Sequence, residues 1–224
     1  MQYFVWGLDG PDSKAQRIAI MERHWEFIAR YDDRLIARGP VLNSEVPQKV
    51  MGSIHIVELD DADAAHTFAY DEPFAVEGVS AEIVMMPFRL EVGRTQFVFE
   101  GTPDHPRFFV HCPAAPGVDA VPDEIASAHE AYCRTFDPHF LCRGSLLTAE
   151  GVWAGAYLLY RNGGPCRPGW LPCGRSLYHR RAVRCAPDSS LDHGRRRQYQ
   201  GGRIDEIVQS RAPHSRRTEP AFFR

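Results

Sequence analysis

Within the run "RIAIMERHWEFIARY", His24 falls four residues after Ile20 and four before Ile28. At helical pitch these three share one face, and side chains on that face lean toward the interior. An imidazole so placed is either a core side chain with one ring nitrogen satisfied or a general acid or base working near neutral pH. Arg17 lies seven residues earlier, two turns along nearly the same face. It reads either as a solvated surface arginine or as a contact to an anionic or phenolic substrate. Ser53 opens a strand near the same sheet edge. With no neighbouring base in sequence and no nucleophile-elbow context, it is at most a substrate-contacting hydroxyl. His129 repeats His24 at a distance of 105 residues.

Other chemistries find less support. His105, His111 and His139 are scattered, and Cys166, Cys173 and Cys185 are spaced by seven and twelve residues, outside the close pairs of zinc sites. No glycine-rich phosphate loop follows a strand, and "GLDGPDS" lacks the rest of a nucleotide fingerprint. Neither a metal nor a cofactor is expected. Cys112, Cys133 and Cys142 form no CxxC pair and read as buried free thiols. A reducing cytoplasm is therefore the expected compartment. The opening "MQYFVWGLDGPDSK" has no basic region followed by an apolar run, and no window approaches the roughly 18 apolar residues of a span, so a membrane is not expected as a partner.

The elements that must position these residues are legible in the periodicity. "YFVWGL" reads as a strand ended by "DGPDS". "AQRIAIMERHWEFIARYDDRLIARG" reads as one helix stopped by Gly39, followed by a short extended "PVLNSE". "GSIHIVEL" is a strand with Ile54 and Ile56 on one side and His55, Val57 and Leu59 on the other. Asp60 and Asp61 offer an N-cap for "ADAAHTFAY". "DEPFAVEG" reads as a loop, and "AEIVMMPFRL" as a strand whose Pro87 argues for an edge or bulge. The order β-α-β-β-α-β is the ferredoxin-like split βαβ arrangement, an α+β fold. Its second sheet face also needs cover, and a partner sheet is the usual solution.

A second copy follows. At an offset of 105 residues Phe4 and Val5 fall on Phe109 and Val110, His24 on His129, and Arg38–Gly39 on Arg143–Gly144. After a two-residue shortening "GSIHIV" falls on "GAYLLY" from Gly155. Matches at one offset are a repeat signal. The expected organisation is a first unit at 1–95, a linker at 96–106, a truncated second unit at 107–161, and a tail at 162–224. Two tandem units with packed sheets make a pseudo-dimer. Homo-oligomerisation through the same sheet packing is the other way to cover the exposed face.

On these features residues 1–90 resemble the YCII-related domain family. The resemblance is carried by the first strand, the helix with its central His24, the "GS" entering the third strand, and "DEPFAVEG" before a strand. That last stretch is similar to the family's Asp-Pro-aromatic…Gly loop, with Glu72 standing between the aspartate and the proline. The second unit matches through His129, "CRGSLL" and "VWAGAYLLY". The resemblance implies a dimeric α+β barrel and an active site of helix histidine and loop aspartate, here His24 and Asp71. Asp71 would orient and charge-stabilise the ring, unless it serves only to bond its own turn. Activity implied this way is proton transfer on a small organic substrate, phenolic or lactone-like. The rival is a non-catalytic small-ligand-binding or dimerisation module, which needs no ionisable pair in the cleft.

The tail departs from this pattern. Residues 1–161 carry 13 basic and 24 acidic side chains, and residues 162–224 carry 13 basic and 5 acidic, all 13 being arginine. "GRRRQ" invites nucleic-acid binding, but lysine is absent and aromatics are few, so nucleic acid is not the favoured partner. Codons for "RSLYHRRAV" read one nucleotide later can spell Asp-Pro-Phe-Thr-Thr-Ala-Gly-Leu, parallel to "DEPFAVEGV". A frameshift between Tyr160 and Arg175 is the expectation, leaving a disordered or poorly folded tail.

Overall fold

The computed structural model describes residues 1–43, 46, 49–92, 94–98, 107–161 and 199–201. Its first half runs β1 (Gln2–Asp9), α1 (Lys14–Ala19), α2 (Met21–Ala29), β2 (Leu35–Leu42), β3 (Val50–Glu58), α3 (Ala62–Tyr70), α4 (Pro73–Val76) and β4 (Ser80–Leu90). The second half runs β5 (Arg107–Pro113), α5 (Asp123–Arg134), β6 (Phe140–Leu147) and β7 (Trp153–Arg161). The α+β class follows from this order.

Three local expectations change. The single long helix is two, broken at Ile20. Its last five residues, "LIARG", belong to β2 rather than to the helix. Leu35, Ile36 and Ala37 are all buried, and a strand covered on both faces shows no alternation, so its apolar run imitates a helix end. "DEPFAVEG" contains the helical turn α4, with Pro73 at its first position. Asp61 does cap α3, accepting from the Ala64 N–H at 2.8 Å. Pro87 sits in β4 just before the Phe88–Leu90 stretch that pairs with β6, where a missing donor breaks no β4–β6 ladder.

All sheet pairings are antiparallel, in the order β2-β3-β1-β4-β6-β7-β5. The short strand β8 (Tyr199–Gly201) pairs with both β2 and β5 and closes the order on itself. These three residues lie in the stretch expected to be disordered. The rest of the tail, including the proposed frameshift region, lies outside the described residues. The start of the expected linker is held in place: a 3₁₀ turn at Gln96–Val98 packs on β2, where Gln96 Oε1 accepts from the Arg38 N–H at 3.1 Å.

Burial separates into three layers. Tyr3, Val5, Val57 and Leu59 face α2 and α3 through Phe27, Ile28, Ala65 and Phe68. Phe4, Trp6, Ile54 and Ile56 point the other way, against Phe109, Leu141, Tyr157 and Leu159 of the second half. Val110, Cys112, Leu158 and Tyr160 pack outward on Cys133 of α5. The second face of the first-half strands is thus covered by strands of the same chain.

The two halves keep the same register. Phe4 pairs Ile56 and Phe109 pairs Leu159; Gly39 pairs Ile54 and Gly144 pairs Tyr157. Bulges fall between Leu35 and Ala37 and again between Phe140 and Cys142. Gly52 and Gly155 adopt φ of 147° and 139°. A Cβ on Gly52 would sit 2.0 Å from the Gly7 carbonyl oxygen, and one on Gly155 2.4 Å from that of Cys112. Both strand entrances therefore require glycine.

Candidate functional site

The face of β3 that meets α2 carries His55, and the face of α2 that meets β3 carries His24. Their rings lie 5.9 Å apart, both buried. The segment α3–α4 closes over them. Phe74 stacks on His24 at 4.1 Å and 14° between planes, and Phe68 meets His55 edge-on at 5.5 Å.

Glu72, not Asp71, reaches His24: its Oε1 lies 2.6 Å from Nδ1, and both groups are buried. Asp71 ends α3, giving its N–H to Thr67 O, and is exposed. One residue on, the chain is extended at Glu72 (φ −64°, ψ 131°), as a residue before proline must be. That step turns the Glu72 side chain inward. The readable signal was the acid immediately preceding Pro73, which takes the aspartate's place in the Asp-Pro pattern.

Arg17 is buried and not a surface arginine. Its Nη1 donates to Asp9 Oδ1 at 2.7 Å, its Nη2 donates to Ser53 Oγ, and its guanidinium carbon lies 4.1 Å over the Phe74 ring. The two residues expected to contact substrate therefore contact each other. Asp9, Glu72, His55 and Phe74 complete the group. His55 was placed on the correct side of its strand by alternation but without a role.

Burial dominates the electrostatics. It lowers the His24 pKa, opposed by Glu72 and reinforced by Arg17 and Arg38. His55 falls well below the ordinary value through burial, then through the charges of His24, Arg38 and Arg17. Burial also raises Asp9, against the pull of Arg17, and lowers Arg17, against the pull of Asp9. Both histidines are thus neutral at neutral pH. A neutral His24 ring that donates its Nδ1 hydrogen to Glu72 Oε1 presents a lone pair at Nε2. Beside this group lies a cavity of about 20 Å³ lined by Ser53, His55, Glu72, Phe74 and Ser80, room for one water.

His129 holds the equivalent helix position in the second half with different neighbours. Its Nε2 is 3.4 Å from Cys133 Sγ. Burial and then Arg143 lower its pKa to about 4, against a small opposing effect of Glu130. The loop that would supply its acid lies outside the described residues. Where β3 carries His55, β7 carries Leu158 in the same register. Among the described residues no group of three or more His, Cys, Asp or Glu could hold a metal, and no helix is long and apolar enough to cross a membrane.

Residues 1–89 match the YCII-related domain. A Haemophilus influenzae protein is 27% identical over 95 residues, covering 40% of this chain and 97% of the relative. Among solved structures, a monooxygenase-like protein from Lactobacillus acidophilus is similar over 89% of this chain and 91% of its own, with a TM-score of 0.50 and 11% identity. That likeness concerns the fold. The 5-chloro-2-hydroxyhydroquinone dehydrochlorinase of Burkholderia phenoliruptrix, in complex with 2,5-dihydroxybenzoquinone, covers 40% of this chain and 94% of its own, with 23% identity and a TM-score of 0.38.

Proposed function

We propose that this chain is a small-molecule enzyme in which His24, held by Glu72, transfers a proton to or from a small organic substrate, phenolic or lactone-like. The observation that carries the reading is the buried 2.6 Å contact between Glu72 and His24 Nδ1. It orients the ring and leaves Nε2 as the base. When Nε2 takes a proton, the imidazolium forms against a carboxylate already in place, which offsets the burial that otherwise disfavours charge. Arg17, fixed by Asp9 and Ser53 over the same Phe74 ring, offers positive potential to the anion left on the substrate. A ring-sized substrate needs more than the cavity of about 20 Å³, so α4 must shift to admit it. The chain as a whole reads as two copies of one unit forming an internal pseudo-dimer, supported by the shared register and bulges of the two halves.

The water-sized cavity also favours a second reading, a non-catalytic module in which the same pair is structural. Proton exchange followed by NMR in D₂O over a panel of phenols and lactones separates the two. The catalytic reading expects exchange that His24→Ala slows by about 10²–10⁴-fold, with Glu72→Gln slowed as well and both variants still folded. Exchange that persists in His24→Ala, or its absence with every compound, sinks that reading.

A further inference from the structure

A larger cavity, about 490 Å³, lies between α5 and the outer face of β4, β6 and β7. That size is typical of sites for small organic ligands. One wall is a row across three strands: Arg89 pairs Ser145, and Ser145 pairs Ala156, each step about 4.8 Å. The bulge that skips Ala154 brings Trp153 onto the face of Ala156. Opposite, α5 presents Ala126, His129 and Glu130, one helical turn. Arg89 and Glu91 come from the first half and the other wall residues from the second, so neither half alone makes this cleft.

Its charges are unevenly engaged. Arg143, buried, ties Glu91 and Glu130 at 2.8 Å each, and Ser145 Oγ donates to Glu91 at 2.5 Å. Arg134 also meets Glu130, at 3.1 Å, so two guanidinium groups face these two carboxylates. Asp119 is exposed on the rim, where water screens it. Arg89 is exposed, and its bond to Ser145 Oγ is long, 3.5 Å; no other partner is found among the described residues. A guanidinium with open N–H groups matches a carboxylate bidentately. Trp153, half-buried beside Ala156, provides an aromatic platform.

We propose that this cleft binds a small aromatic carboxylate, its acid group on Arg89, its ring against Trp153, and a ring hydroxyl within reach of His129. The site is separate from the His24–Glu72 pair and does not rest on its catalytic reading.

Calorimetric titration of the full chain with 4-hydroxybenzoate tests it. The expected result is one site per chain. Binding should weaken about tenfold or more in Arg89→Gln, from the loss of a charge-assisted pair, and weaken also in Trp153→Ala. The alcohol 4-hydroxybenzyl alcohol, which lacks the charge, should bind the wild type more weakly by a similar factor. Arg89 is exposed, so Arg89→Gln is expected to melt like the wild type. His24→Ala should bind 4-hydroxybenzoate as the wild type does. No binding at millimolar ligand, equal binding of acid and alcohol, undiminished binding by Arg89→Gln, or loss of binding through His24→Ala would each overturn the assignment.

Discussion

The two halves place a histidine at the same point of the same helix and surround it differently. His24 lies under Phe74, bonded to Glu72 and beside a water-sized cavity. His129 lies against Cys133 and faces a cleft of about 490 Å³. Residues 62–79 fold over the first histidine and deliver both its carboxylate and its stacking partner. In the second half the carboxylates near the histidine, among the described residues, are Glu130 of α5 and Glu91 just past β4, and Arg143 binds both. Among the described residues the two histidines thus have different neighbours, and in the first half a later segment supplies the acid.

The largest effect expected from breaking this contrast is at Phe74. The side chain is fully buried between His24 and Arg17, and Phe74→Ala should cost about 3–5 kcal/mol in denaturant unfolding. A loss below about 1 kcal/mol would mean that α4 does not seal the first site.

A smaller effect concerns acid. His111 and His129, both of the second half, have pKa values lowered from 6.5 to about 4, chiefly by burial. Each binds fewer protons folded than unfolded below 6.5, so the stability it contributes is complete above that value and is lost as pH falls toward 4. The melting temperature should drop across this window, and His111→Leu should flatten the slope. An unchanged slope would show that His111 is not a half-buried ring kept neutral by its surroundings.

The smallest effect separates equivalent core positions. Tyr157 stands where the first half has Ile54, each opposite a β-strand glycine. Its hydroxyl is buried without a hydrogen-bond partner among the described residues, and burial pushes its pKa well up. Tyr157→Phe should leave stability unchanged or raise it by about 1 kcal/mol. A clear destabilisation would point to a partner for the hydroxyl.

Much of the fold was legible because it rests on local period and spacing. The alternation in "GSIHIVEL" assigned Ile54 and Ile56 to one core and Val57 and Leu59 to another, as they are. Asp61 was readable as a cap. The β2 segment was not, because burial on both faces erased its alternation, and "LIARG" then continued the helix pattern. At the site, His24 was readable from its helical face. Its partner was misread by one residue, since only the extended conformation before Pro73 turns Glu72 inward and leaves Asp71 outside. For Arg17 the sequence leaves two readings, solvated or substrate-contacting, because a single helix face does not reveal that Asp9 and Ser53 lie beyond it.

The sequence by itself determined the element order, the offset between the halves and the histidine at the heart of each, because these depend on residue type and periodicity along one chain. Only the tertiary structure decided which acid meets His24, that Arg17 is buried on Ser53, and that Arg89 of one half and Trp153 of the other line one cleft. Those juxtapositions join residues from 36 to 64 positions apart, and their existence depends on how strands register and how a cover segment closes, neither of which any one stretch of residues encodes.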